Sequence, residues 1–259
     1  MATTSTALDV ARPSWPFLTA RWTNVLLANY AVPARLLRPR LPAGLELDLL
    51  DGQAFASLVC FDFLDTRVLG VPWPGFREFS EINLRFYVRH GDERGVVFVR
   101  EFVPRRFVAW MARTLYNEPY LATPMSSAVV DKPGQIRVEH RITFAGRTHT
   151  VRAVGEKPAY VPGPESGETF FKEHHWGYGN ARSGRTLRYH VSHPVWGVYP
   201  VRDVEIDLDW GAAYGPEWAV MQNLRPLSTV LAVGSPVAVY PRGTLATYVD
   251  DGVESLVAN

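Results

Sequence analysis

The chain is poor in several residues that usually announce a chemistry. It has one cysteine, Cys60, in 259 residues, so no internal disulfide can form and no cysteine-rich zinc site exists. Lysine is nearly absent. Of 27 basic residues only Lys132, Lys157 and Lys172 are lysines, a bias that reads as genomic base composition. Acidic and basic residues almost cancel, leaving a formal net charge of +1, whereas a nucleic-acid binder shows a basic excess. No apolar run is long enough to span a bilayer, and the N-terminus lacks the basic-then-apolar pattern of a signal peptide. The expectation is a soluble, cytoplasmic protein with no membrane or nucleic-acid partner. HExxH, CxxC and GxSxG motifs are missing, as are glycine-rich phosphate loops. Histidines invite a metal reading. However, His190 and His193 stand three apart in a strand and so point to opposite faces, while the adjacent His174 and His175 diverge. No metal and no cofactor are expected.

What the chain does have is 47% hydrophobic residues, eight tryptophans and 20 prolines, enough for a compact, turn-rich fold. Its most regular stretch is Glu81-Ile82-Asn83-Leu84-Arg85-Phe86-Tyr87-Val88. In a strand Ile82, Leu84, Phe86 and Val88 share one face, and Glu81, Asn83, Arg85 and Tyr87 share the other. The second face is either the lining of a polar pocket or a salt-linked exposed face.

Further strands are expected at Arg21–Tyr30, at Leu45–Leu49 before an Asp51-Gly52 hairpin turn, and at Gln53–Phe63. Val96–Val103, Tyr120–Val130, Gln135–Phe144, Arg147–Val154 and the segments around Leu187–Val191, Val204–Trp210 and Leu227–Tyr240 complete the set. Phe107, Met111 and Leu115, with Val108 and Ala112, form a stripe at helical spacing through Tyr116, and Trp110 and Met111 read as core. Ser166 is positioned to cap a short helix carrying Phe170, Phe171 and Lys172. Some ten strands with few helices imply one mainly β domain over residues 16–243, flanked by tails at 1–15 and 244–259. Its form is a curled antiparallel sheet, barrel-like or cone-shaped, with a few short helices.

Carboxylates are the best chemical lead. Asp62, on the Cys60 face of its strand, and Glu81 both fall in central strands, and Arg85 shares the Glu81 face. Carboxylates and an arginine in a partly apolar pocket bind small anions and shift their protonation. The alternatives are a turn cap for Asp62 and a buried ion network that only sets register. Cys60 reads as an inert core thiol.

The order of several motifs resembles the uncharacterised DUF2071 (YqjF-like) family of the acetoacetate decarboxylase-like superfamily. They are Trp22 with Tyr30, VPARLLRPRLPAGLELD (32–48), EINLRFYV (81–88), ARTLYNEPYLA (112–122), HPVW (193–196) and SPVAVYPRG (235–243). The resemblance implies a cone-shaped sheet around a central pocket. Acetoacetate decarboxylases act through a Schiff-base lysine beside a second lysine, with pocket carboxylates and an arginine. By that resemblance Glu81 matches a pocket glutamate, Asp62 in LVCFDFL (58–64) stands where another glutamate is found, and Arg21 stands near the pocket arginine, two positions off. The lysines do not carry over: Pro119 is followed by Tyr120 and Leu121, and a phenol cannot form an imine.

Three functional readings remain. The first is a protein that binds or acts on a small organic acid or carbonyl compound without a Schiff base. In it Arg85 or Arg113, with Arg21, holds the anion, Asp62 or Glu81 moves a proton, and Tyr120 donates to an oxyanion. The second is a Schiff-base lyase using Lys172; the third is a non-catalytic structural or interaction protein. Homo-oligomerisation is left open.

Overall fold

The computed structural model describes residues 15–115 and 117–245. Its strands are β1 (Leu18–Val32), β2 (Glu46–Leu47), β3 (Ala54–Val68), β4 (Phe79–His90), β5 (Glu93–Val103), β6 (Tyr120–Ala122), β7 (Met125–Lys132), β8 (Gln135–Phe144), β9 (Arg147–Glu156), β10 (Trp176–Asn180), β11 (Thr186–Ser192), β12 (Val198–Tyr199), β13 (Val201–Asp207), β14 (Ser228–Val239) and β15 (Gly243–Thr244). Four short α-helices accompany them: α1 (Ala34–Leu37), α2 (Arg106–Leu115), α3 (Gly167–Lys172) and α4 (Trp210–Tyr214). None is long and apolar enough to cross a membrane.

The larger sheet runs β14-β1-β3-β4-β5-β10-β11, and β11 pairs with β14 again through Val191↔Val239 and Ser192↔Ala238. The hydrogen-bonded path therefore curls back on itself. Pairing is antiparallel except where β5 meets β6 and β10. A second sheet, β13-β9-β8-β7, covers the outside of the curl.

Alternation along β3 and β4 explains this layering. Ala56, Leu58 and Cys60, with Ile82, Leu84 and Phe86, face outward and pack against Val138, Ile142 and Val151 of the second sheet. Phe55, Val59, Phe61 and Phe63 face inward with Leu27, Tyr87 and Trp196. Each fully buried aliphatic or aromatic side chain contributes about 1.5–3 kcal/mol of transfer free energy. A chain with both strand faces apolar thus has two layers to fill, and curling supplies the second.

Several local expectations hold. Asp51 (φ 51°) and Gly52 (φ 75°) both take left-handed conformations, as the primed turn of a tight hairpin demands. Ser166 caps α3, its Oγ accepting from Thr169 N at 3.2 Å. The acidic row of β13 is solvated, with Glu205 and Asp207 paired to Arg152 and Arg147. Others are corrected. The Leu45–Leu49 segment contributes only β2, which pairs with β4 rather than back along the hairpin. Tyr120–Val130 is two strands in different sheets, separated at Pro124. β10 and β12 lie in stretches for which no strand was expected. The stripe on α2 divides: Val108, Met111 and Ala112 are half-buried, whereas Phe107 and Leu115 are exposed, as is Trp110 at 55%, and Ala109 is the buried residue. At the ends, 1–14 and 246–259 fall outside the described residues, as does Tyr116. Gly243–Thr244 pairs with β11 and Leu245 is buried, so ordered packing reaches past the expected boundary at 243.

β14 stays in register with β1 through Thr23↔Gly234, where Gly234 adopts φ 83°. A Cβ there would lie 2.1 Å from Trp22 O, so the close approach admits only glycine. Gly234→Ala is expected to destabilise the protein by about 3 kcal/mol, read as a lower urea midpoint at unchanged slope.

Candidate functional site

The inner face of the curl encloses a cavity of about 150 Å³. Its wall is largely aromatic and aliphatic, with Trp22, Phe61, Phe79, Phe98, Met111 and Trp196 among the lining residues. Trp22 packs on Phe61 and Trp196 at centroid distances of 5.0 and 6.2 Å. The polar row of β4 enters this wall: Glu81, Asn83 and Arg85 all line it. The fourth member, Tyr87, closes the structure behind them. Its hydroxyl lies 2.5 Å from Ser57 Oγ, and Ser57 in turn donates to Asn29 Oδ1 at 2.6 Å.

Adjacent strands complete the polar patch. Register places Glu101 of β5 opposite Asn83, and the parallel pairing of β5 with β6 places Tyr120 opposite Glu101. Asn83 Nδ2 donates to Glu81 Oε1 at 2.8 Å, and Tyr120 OH donates to Glu81 Oε2 at 2.9 Å. Glu118, two residues before Tyr120, adds a third carboxyl, which hydrogen-bonds with Tyr189. Tyr189 itself fits because its partner residue is Gly177, where a Cβ would stand 2.2 Å from the phenol ring. His174, tilted against Tyr87 at a centroid distance of 4.9 Å, donates from Nε2 to Phe170 O at 2.6 Å and keeps Nδ1 as an acceptor. Burial holds its pKa well below the ordinary range, so the ring is neutral.

Three glutamates in one desolvated wall cannot all ionise at neutral pH. Burial is the main cause in each case. Glu81 is pushed up to about 7, against the opposing pull of Asn83, Tyr120 and Arg85. Glu118 is pushed up to about 8, with the Glu81 charge adding to burial. Glu101 is raised well above its usual value by burial and by the charges of Glu81 and Glu118. The patch therefore carries exchangeable protons close to pH 7, the condition for acid–base work. Five buried polar atoms on the cavity wall also lack a partner in the protein: Trp22 Nε1, Asn83 Oδ1, Arg85 Nε, Glu101 Oε1 and His174 Nδ1. Buried polar groups are ordinarily paired, and these five atoms gather on one cavity wall.

Of the six residues expected from the sequence, three converge here: Glu81, Arg85 and Tyr120. Arg85 also donates to Phe171 O at 2.9 Å. Three do not. Asp62 pairs with Ser80 in register and so faces outward, opposite to its neighbour Phe61, which shares Glu81's face. There it accepts from Ser80 Oγ (2.8 Å) and Ser127 Oγ (2.7 Å), so its charge is compensated between the sheets. Arg113 folds back along α2, Nε donating to Ala109 O at 3.2 Å. Arg21 is exposed on a separate groove with Asp65, Arg67 and His193. Glu101, Glu118, Tyr189 and His174 were not anticipated. Glu101 was hidden by a register shift between β4 and β5, which sets Arg85 opposite Phe98 and Leu84 opposite Arg100. Counting by twos from Phe98 therefore assigns Glu101 to the wrong face.

A raised carboxyl pKa lowers stability as pH rises. Between about 4.5 and 8 the unfolded chain releases the Glu118 proton while the folded protein retains it, so folding loses ground across this window. Glu118→Gln keeps an acceptor for Tyr189 and removes the titration. Relative to the parent, its stability is expected to rise by about 1–2 kcal/mol from pH 5 to pH 8, measured by thermal or urea unfolding at both pH values.

Comparisons with known proteins agree with this architecture. The chain is 36% identical over 107 residues to the uncharacterized protein YqjF of Bacillus subtilis (strain 168), a match spanning 41% of this chain and 44% of that protein. In fold it is similar to an acetoacetate decarboxylase-like enzyme from Sphingomonas wittichii RW1, with TM-score 0.62 and 14% identity over 89% of this chain and 93% of that one. The enduracididine biosynthesis enzyme MppR complexed with pyruvate gives TM-score 0.63 and 16% identity over 93% and 94% of the two chains. Acetoacetate decarboxylase from Legionella pneumophila gives 0.60 and 13% over 96% and 99%. The sequence model of DUF2071, an uncharacterized conserved protein family, matches residues 19–236, and the chain, folded as a curled acetoacetate decarboxylase-like sheet, belongs to that family.

Proposed function

We propose that the cavity binds a small organic acid or carbonyl compound and that Glu81 moves a proton on it without forming an imine. One observation carries this reading: a carboxyl that ionises near pH 7, hydrogen-bonded by Tyr120 and Asn83, stands on the wall of an enclosed, mostly apolar cavity. A general base is most effective when its pKa lies near the working pH. Glu101, protonated at neutral pH through burial and with Oε1 unpaired in the protein, supplies a donor for a carbonyl oxygen that gains charge as the proton leaves, while the single Tyr120 proton holds Glu81 in place. Arg85, with Nε free, supplies a cation for a ligand carboxylate. The volume of about 150 Å³ suits a molecule of a few heavy atoms. MppR, of the same fold, is described in complex with pyruvate, a compound of this class.

The lysines support the absence of imine chemistry at this cavity. Lys132 is exposed, Lys157 pairs with Asp131, and Lys172 is buried against Glu173. None lines the cavity. An imine-forming amine must be neutral and within reach of the substrate carbonyl, and here the position after Pro119 holds a phenol.

Short oxo acids, ketones and carboxylates should raise the thermal midpoint of the native protein, and Arg85→Met should remove the response to the carboxylates. In deuterium oxide, exchange of protons α to the carbonyl of a bound compound, followed by NMR, should fall about 10²–10⁴-fold in Glu81→Gln. Borohydride with the same compounds should leave the intact mass unchanged. A stable adduct on Lys172 would replace this reading with imine catalysis, and absence of any thermal shift across the panel would remove the binding site.

A further inference from the structure

A second polar cluster lies outside the cavity. Among the described residues, Glu173, His175 and His193 each bring one ligand-competent atom to within 4.8 Å of the others. They come from two separate stretches, the segment leaving α3 and the turn after β11, which the pairing of β10 with β11 holds together. The sequence expectation of divergent histidines considered neighbours in the chain, and this pairing joins residues 18 apart.

Each member is oriented by a contact on its far side. His175 Nδ1 lies 3.1 Å from Val191 O; donating there leaves Nε2 as a lone pair, the arrangement that commonly positions a metal-binding imidazole. Glu173 Oε1 accepts from the Lys172 ammonium and from Trp196 N at 3.2 Å, so Oε2 is the oxygen left. Oε2 lies 4.0 Å from His193 Nδ1. The His193 ring is clamped between His175 and Trp196, with centroid distances of 4.6 and 4.3 Å. Its Nδ1 stands 3.0 Å from Pro194 O and its Nε2 3.4 Å from His174 O. A neutral imidazole donates from one nitrogen only. With the proton on Nε2, Nδ1 turns a lone pair toward the oxygens of Glu173 and Pro194, an arrangement that a cation relieves.

We infer that Glu173, His175 and His193 form a binding site for one divalent transition-metal ion of the zinc, cobalt or nickel class. One carboxylate and two imidazoles suit these borderline ions, and hard ions such as magnesium prefer oxygen alone. His193 borders the groove that also holds Arg21 and Asp65, with its side chain only 1% exposed. Lys172 sets the affinity: its ammonium already neutralises Glu173, so the metal and the lysine compete for the same carboxylate.

The test is a cobalt(II) titration of the full-length protein after EDTA treatment, followed by the visible absorption of bound cobalt and by thermal unfolding. One equivalent should bind and raise the thermal midpoint. His175→Ala and His193→Ala should each weaken binding roughly 100-fold. Lys172→Gln should tighten it about tenfold, a gain that a purely structural role for the cluster does not produce. If Lys172→Gln fails to fold, the two histidine variants carry the test. No saturable binding in the parent protein, or binding kept by both histidine variants, would overturn the site; unchanged affinity in a folded Lys172→Gln would overturn the competition.

Discussion

A slip of one residue in the pairing of β4 would carry Glu81, Asn83 and Arg85 into the apolar layer between the sheets. It would also push Ile82, Leu84 and Phe86 into the cavity wall. Both moves are costly, the first because three polar groups would lose their partners in a dry environment and the second because apolar side chains would lose their packing. The strict alternation of this strand therefore locks register on both sides at once. β3 and β5 inherit their positions from it, and the cavity exists because the inward face of the same strand cannot be filled with hydrocarbon.

That constraint sets the electrostatics of the site. A curled sheet has little room for solvent on its inner face, and β4, β5 and the turn before β6 deliver three carboxyls to it. Water does not screen them, so protons do: Glu101 and Glu118 stay mostly protonated at pH 7, and Glu81 ionises close to it. Tyr120 ties the arrangement together, donating to Glu81 and hydrogen-bonding with Glu101. The resulting pocket is apolar in area yet rich in hydrogen-bond donors, a combination that favours a small, compact, oxygen-bearing molecule over a strongly hydrated one. The second cluster obeys the opposite rule. Glu173 is compensated by a fixed cation, Lys172, and His175 turns Nδ1 to a backbone carbonyl, so the cluster offers lone pairs.

Much of this was legible wherever local periodicity and global position agree. The two faces of β4, the Asp51-Gly52 turn and the Ser166 cap follow from side-chain spacing and backbone preference, which are properties of a few consecutive residues. The errors have a common physical origin in the loss of that correspondence. The register shift in β5 changed which residues face inward, and with it the role of Glu101. On α2, Phe107 and Trp110 read as core because they are apolar, but they pack on one another and on Trp73 and Phe76 near the surface, whereas Met111 lines the cavity. Asp62 was placed correctly on the Cys60 face, and it is that face which turns away from Glu81.

By itself the sequence determined the strand-rich class, the alternation of β4, and the presence of Glu81, Arg85 and Tyr120. Tertiary structure alone decided which carboxyls meet and which nitrogens share a site. Glu81, Glu101 and Glu118 lie far apart in the chain, as do His175 and His193, and no local preference encodes their convergence. It arises from the pairing of β4 with β5, β5 with β6 and β10 with β11, which brings these residues together and, at the cavity wall, removes the water that would otherwise keep their charges independent.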